Sequence, residues 1–516
     1  MKTVGHALTE GLRARGVEVV FGIPGVHTIE LYRGLSGSGI RHITPRHEQG
    51  AGFMADGYAR VSGKPGVAFV ITGPGLTNTL TAMAQARADS VPMLVISGVN
   101  RRGSLGQGLG LLHELPDQAA MVRALCPSFQ VTGPEVLERC LNLAFAAMLG
   151  SRPGPVHIEV PTDVMGMAAV AAGAPQEVVR AVPDVSVAVA ALNRAKRVVI
   201  LAGGGARGAN MRGLAQALDA PVVQTVNARG VMAGHALSVA ASPSLDAVRA
   251  LIAGADQVLA IGTEFGPTDY DMYVRGGLPD MAGMIRVDVC PLQLARHEAA
   301  VTVCGDAGAV VDALLAQVAV QIGDGTARAA ATMAAARAEV AGLSDEMPSQ
   351  IAVLEALRDA VPGAIVVGDS TQPVYAGNLL YDHDLAGGWF NAATGYGALG
   401  FAPGAAVGAA VAAPDARVFC LIGDGGLQFS PAELRVAVDE GLDVTYLVWN
   451  NAGYGEIAAA MRAANTEVIG CTPSPLGLAA FAAACGMPYA CVGLQPMAVA
   501  EAAALPGPRL VEIRVY

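Results

Sequence analysis

Basic clusters are missing from this sequence: no run of Lys and Arg is longer than the pair Arg101-Arg102, and the formal net charge is −11. Nucleic acid and anionic membrane surfaces are therefore poor partners for it. Charge of either sign is scarce, at 15% of residues against 53% hydrophobic, so most side chains must be buried. Long apolar runs are also absent. The mean hydropathy of +0.44 invites a membrane reading, but no clean stretch of about 18 apolar residues occurs. The best candidate, Gly400 to Ala413, is broken by Pro403 and several glycines. The eight cysteines lack CxxC pairing, which predicts reduced thiols and a cytoplasmic protein. Lys2 leads into an amphipathic helix rather than an apolar block, so no secretory signal is expected.

What is present is length and alternation. A chain of 516 residues has room for two to four domains. Its N-terminal third alternates short apolar strands with helices, and the pattern restarts near Arg197 and again near Ile351. This predicts an α/β fold of three domains, each a parallel sheet flanked by helices, over residues 1–166, 187–318 and 346–516. Residues 167–186 read as a linker, and 318–345 as an Ala-rich helical connection.

Chemistry concentrates at Gly423-Asp424-Gly425-Gly426 and, one helix and one strand later, at Asn450-Asn451. A buried strand over 417–422 ends at Gly423. Ser430, Pro431 and Glu433 then read as a capping box for the helix that stops at Gly441. Asp424 and Asn451 should both lie beyond the C-terminal ends of parallel strands, where open α/β sheets bind ligands. Magnesium wants about six oxygens at ~2.1 Å. Asp424, the Asn451 amide oxygen and the Gly453 carbonyl would supply three and leave room for phosphate oxygens. Gly423, Gly425 and Gly426 would let the backbone approach those phosphates.

These motifs resemble the thiamine diphosphate fingerprint of the acetolactate synthase and 2-oxo acid decarboxylase superfamily, in the order pyrimidine domain, central domain, diphosphate domain. The segment Arg46 to Arg60 is similar to the family's glutamate-bearing junction, which implies that Glu48 activates the cofactor and that His47 helps position it. The resemblance further assigns cofactor contacts to Pro24, Thr72, Asn78, Thr371, Gln372 and Tyr454. It gives Gly397 the 4′-amino contact and makes Leu399 the apolar wedge that bends the cofactor. It also implies a homodimer or homotetramer with each site shared between two subunits.

Departures from the family narrow the substrate. The Trp that follows Asn-Asn in acetolactate synthases is replaced by Gly453-Tyr454-Gly455-Glu456-Ile457, and the glutamine of the fourth-strand loop by text around His113. The segment after Ile261-Gly262 lacks the Arg-containing stretch of flavin-binding synthases, which argues against FAD. Acids appear instead: Glu114, Asp117, Asp269, Asp271 and Glu456. In these segments the chain looks like the 5-guanidino-2-oxopentanoate decarboxylases. A 2-oxo acid with a cationic guanidino or amino tail would need a carboxylate partner. His113 is a candidate proton donor after decarboxylation. The alternative is carboligation, which differs only in what captures the enamine. A nucleotide-binding oxidoreductase would need a GxGxxG loop, which Gly203-Gly204-Gly205 does not match.

Overall fold

The computed structural model describes residues 2–170, 173, 183–272, 276–281 and 283–516. Three six-stranded sheets follow one another along the chain, and every strand pair in them is parallel. The first sheet runs in sequence from Val19 to Pro161 and the third from Ile365 to Arg514. These two share one spatial order, second, first, third, fourth, sixth, fifth strand. The middle sheet, Val198 to Cys304, has the order sixth, fifth, fourth, first, second, third. Strand direction follows from composition: Gly66–Val70, Met93–Val99 and Val444–Asn450 are buried along their whole length, as expected when helices cover both faces of a sheet.

The predicted linker over 167–186 lies largely outside the described residues. The Ala-rich connection is the helix Gly325–Leu343, whose Ala329, Ala336 and Val340 join the core of the middle unit. Among the described residues no helix is long and apolar enough to cross a membrane. Gly203 to Gly205 form a turn at the end of strand Val198–Ala202, where a Cβ on Gly203 would stand 2.1 Å from the Gly262 carbonyl oxygen. Close approach of two turns is the reason for that glycine.

The first and third units are locked by one helix crossing. Helix Glu48–Ser62 packs along helix Phe401–Ala412, whose Phe401-to-Val411 face is entirely small or apolar and buried. A Cβ on Gly57 would lie 2.0 Å from the Ala405 carbonyl oxygen, and one on Gly408 1.9 Å from that of Met54. Arg60 is buried in the joint, paired with Asp56 at 2.5 Å and Asp89 at 2.7 Å, with its guanidinium over the rings of Phe390 and Phe401. A charge so deeply buried is tolerated because both pairing and ring contacts replace its water.

One local expectation fails. Ser430 and Glu433 do not form a capping box. The Ser430 hydroxyl donates to the Gly400 carbonyl at 2.8 Å, and Glu433 reaches across to the Arg46 N–H. Both side chains are drawn to tertiary partners, and the segment starts as a 3-10 turn, Pro431–Glu433, before helix Leu434–Asp439.

Candidate active site

Strands Val418–Gly423 and Val444–Asn450 pair in register, with Gly423 opposite Trp449, so Asp424 and Asn451 emerge side by side. The Asn451 N–H donates to Oδ1 of Asp424 at 3.3 Å. The side-chain oxygen of Asn451 stands 2.7 Å from the Gly453 carbonyl oxygen and 3.1 Å from Oδ1 of Asp424. Turned the other way, the amide would donate to both; as it stands, three acceptors face one another without a proton. In an octahedron of ~2.1 Å bonds, neighbouring ligand oxygens are about 3 Å apart, so the trio fits one hard divalent cation. Gly453 has φ 149° and a Cβ there would meet the Cys471 carbonyl oxygen at 2.3 Å, so only glycine presents this carbonyl. Burial pushes the Asp424 carboxyl pKa up, against the N–H groups around it; a bound cation would reverse that. Among the described residues no cluster of three His, Cys, Asp or Glu could hold a metal. This trio needs none, because two of its oxygens are an amide and a backbone carbonyl.

Beside the trio lies a cavity of about 370 Å³. Its walls bring together Thr371, Gln372, Gly397, Leu399, Gly423, Gly425, Gly426, Asn451, Gly453, Tyr454 and Glu456, which were picked out from distant parts of the sequence. Gln372 accepts from the Trp449 indole at 3.1 Å and from the Asn451 amide at 3.3 Å. Gly425 is glycine because the Tyr454 ring lies 2.6 Å from where its Cβ would be. Two contributors were missed in the sequence. Tyr375 lines the wall, and burial raises its pKa. Asp369, fully buried, accepts N–H groups of Ser370, Gly400 and Ala402 and so ties the Gly397–Leu399 loop to the end of strand Ile365–Gly368. Burial pushes its carboxyl up to about 6 against those donors. A buried Asp right after an apolar strand was the available signal.

The first unit assembles a second group of residues. Asn78 donates to Oε2 of Glu48 at 3.0 Å, and His47 caps the helix by accepting the Gln49 N–H on Nδ1 at 3.1 Å. Nδ1 of His113 is 3.2 Å from the Thr72 carbonyl oxygen, and its ring stands edge-on to His27 at 5.5 Å. The residue has φ 61°, a conformation that glycine adopts more readily, and its carbonyl packs on Gly73. Pro24 occupies the turn after strand Val19–Gly22, where Gly25 packs on Ile71. Gln118, not singled out beforehand, accepts from the Thr72 hydroxyl and the Gly73 N–H at 2.9 Å each. No described residue before Ser370 lines the cavity of the third unit, so within one chain the two groups stay apart.

The acids divide in the same way. Glu114 accepts the N–H groups of Leu109 and Leu111, and Asp117 caps helix Gln118–Arg123 through the Ala120 N–H at 2.8 Å. Asp269 and Asp271 are not brought to the cavity. Asp269, half-buried in the middle unit, accepts the Val226 N–H, and desolvation pushes its pKa up to about 6; Asp271 accepts the Gly277 N–H. Glu456 alone among them lines the cavity, exposed at its rim, and no described residue donates a hydrogen bond to it.

Comparison with known proteins decides the family. The thiamine pyrophosphate enzyme N-terminal TPP binding domain matches residues 2–121, the central domain 185–314 and the C-terminal TPP binding domain 369–513. The chain is 42% identical over 514 residues to a probable 2-ketoarginine decarboxylase, AruI, of Pseudomonas aeruginosa, covering 97% of this chain and 90% of the relative. The chain belongs to the thiamine pyrophosphate enzymes. Within them it is also similar to the acetolactate synthase large subunit of Corynebacterium glutamicum, 30% identical over 88% of this chain and 76% of that protein. Acetolactate synthase isozyme 1 of Escherichia coli is 32% identical over 86% of this chain and 81% of its own length. The two TPP binding domain matches fall on the first and last units, the two with the same strand order.

Proposed function

We propose that the chain is a Mg2+-dependent, non-oxidative decarboxylase of a 2-oxo acid that carries a cationic guanidino or amino tail. The 2-oxo acid and a proton give CO2 and an aldehyde one carbon shorter. When bound, thiamine diphosphate supplies the electron sink for the pair left behind as CO2 departs. Asp424, Asn451 and Gly453 hold the metal, and Thr371 and Gln372 with Gly423, Gly425 and Gly426 hold the diphosphate. Gly397 would offer its carbonyl to the 4′-amino group, Leu399 would be the apolar wedge against the cofactor, and Glu48 would keep a proton at N1′. His113 is the candidate donor of the proton that replaces CO2. Because Glu48 and the cavity are separate within one chain, each site takes its Glu48 from a second copy, in a homodimer or homotetramer. The eight cysteines, all free thiols, suit a reducing cytoplasm.

One observation carries the tail: at the cavity rim Glu456 has a carboxylate to which no described residue donates a hydrogen bond. A guanidinium there would gain a charge-assisted pair. Purified enzyme with thiamine diphosphate and Mg2+ is to be given 2-oxoarginine, a neutral 2-oxo acid of equal length, and pyruvate. Rapid aldehyde formation from 2-oxoarginine is expected, and Glu456→Gln should lower its kcat/KM by roughly 10- to 100-fold while sparing the neutral acid. The acetolactate synthase relatives favour a second reading, carboligation. Acetolactate from pyruvate with no turnover of 2-oxoarginine would establish it instead.

A further inference from the structure

Glu433 belongs to the third unit but is spent on the first. It is 1% exposed, and both its carboxylate oxygens accept the Arg46 N–H, at 3.2 and 3.1 Å, with the His47 N–H also facing them. Its Oε1 lies 2.3 Å from where a Cβ on Gly50 would be, so the carboxylate rests on the bare backbone of the helix that Glu48 begins. Neighbouring contacts run the same way. The Arg46 guanidinium pairs with Asp439, and Arg41 with Glu440 at 2.7 Å. Three acids from one stretch of the diphosphate unit thus grip the segment that presents Glu48.

Isolated burial of a carboxylate is costly unless its oxygens are satisfied. Here burial pushes the group up to about 7, with the Arg46 and His47 N–H groups and the Arg46 charge acting against the rise. A pairing with so little surface benefit calls for a geometric role. His47 fixes the helix start and Asn78 fixes one Glu48 oxygen, but neither restrains the backbone before His47. Glu433 does.

We infer that Glu433 is a positioning residue for cofactor activation: by clamping the N–H groups at Arg46 and His47, it sets the height at which Glu48 meets the pyrimidine. This rests on the proposed role of Glu48. Misplacement of an acting group by about 1 Å costs up to ~100-fold.

The test uses the holoenzyme of Glu433→Gln. The exchange of the C2 hydrogen of bound thiamine diphosphate for deuterium is followed at saturating cofactor and Mg2+. Amide exchange of residues 46–48 is followed in the cofactor-free protein. Exchange at C2 should slow roughly 10- to 100-fold, amide exchange should quicken, and cofactor affinity should stay within about threefold. If that variant does not fold, Gly50→Ala keeps the carboxylate but displaces it, and the same slowing is expected. Undiminished C2 exchange in whichever variant folds overturns the inference, even if thermal stability falls. Glu48→Gln is run alongside. If it too leaves C2 exchange intact, the role of Glu48 fails; if it slows exchange while the Glu433 variant does not, only the positioning role fails.

Discussion

Asn78 donates from its side chain to Oε2 of Glu48 at 3.0 Å, while the Glu48 backbone carbonyl is 3.5 Å from the Thr79 hydroxyl. Helix Pro74–Ala88 therefore orients the carboxyl that starts helix Glu48–Ser62. One Glu48 oxygen is taken, and the other is left for a partner.

Glu48→Gln should preserve this orientation but remove the acid. Deuterium exchange at C2 of bound thiamine diphosphate is expected to fall by roughly 100- to 10,000-fold, the usual span for a positioned acid or base. Asn78→Ala should slow it less, about tenfold, because the acid is kept and only its aim is lost. Equal effects of the two would contradict this division of labour.

Asp424→Asn keeps the shape of the three-oxygen group proposed to hold the metal and removes its only charge. Even groups that merely orient a ligand cost roughly 10- to 100-fold in metal affinity when lost, so a ligand should cost at least that. Titration of the chelator-treated protein with Mg2+ at fixed thiamine diphosphate reads the shift directly. Activity should return to the wild-type protein when Mg2+ is restored. An unchanged Mg2+ requirement in Asp424→Asn would mean that the three oxygens do not share a cation.

How far the sequence was legible depended on whether a residue's job was local. Asp424, Asn451 and the glycines beside Asp424 could be placed together because their positions are set by strand ends a few residues away. Ser430 and Glu433 carry a helix-start pattern, yet Gly400 and Arg46, distant in sequence, compete for both side chains. Asp269 and Asp271 accept the Val226 and Gly277 N–H groups in the middle unit, partners that no local sequence pattern announces. Edge strands such as Trp389–Asn391, three residues long, exist through pairing with Ile365–Gly368 and carry too short a pattern to announce themselves.

The helix crossing between the first and third units should be intolerant of a single methyl. At Gly57 and Gly408 the added carbon would strike backbone, at 2.0 and 1.9 Å, and backbone cannot rotate away. Overpacking of this sort costs about 1–3 kcal/mol, and Gly57→Ala or Gly408→Ala should reach the upper end. Gly166→Ala, where a Cβ meets nothing within 4 Å, is the control and should stay within about 0.5 kcal/mol of wild type. Urea midpoints compare the three, and a Gly57→Ala protein as stable as the control would mean that the helices can part.

His157 offers the clearest link between pH and stability. It is fully buried between the hydroxyls of Ser97 and Ser128, 2.8 Å from each ring nitrogen, and burial lowers its pKa to about 3. In the unfolded chain it titrates near 6.5. Between those values the unfolded chain holds a proton that the native protein refuses, so the contribution of His157 is whole above pH ~6.5 and drains away at about 1.4 kcal/mol per unit as pH falls. Asp369, Asp269 and Glu433, whose carboxyls are raised, act in the opposite sense: the native state holds their protons longer, so they favour folding as pH drops through about 6 or 7. The bulk curve is therefore a sum of opposing slopes, and only a difference isolates the histidine. His157→Asn should be less stable than wild type at pH 8, and the gap should narrow steadily below pH ~6.5. A gap that stays constant from pH 8 to pH ~4.5 would show that the ring is charged inside the folded protein, against the burial that holds it between two serines.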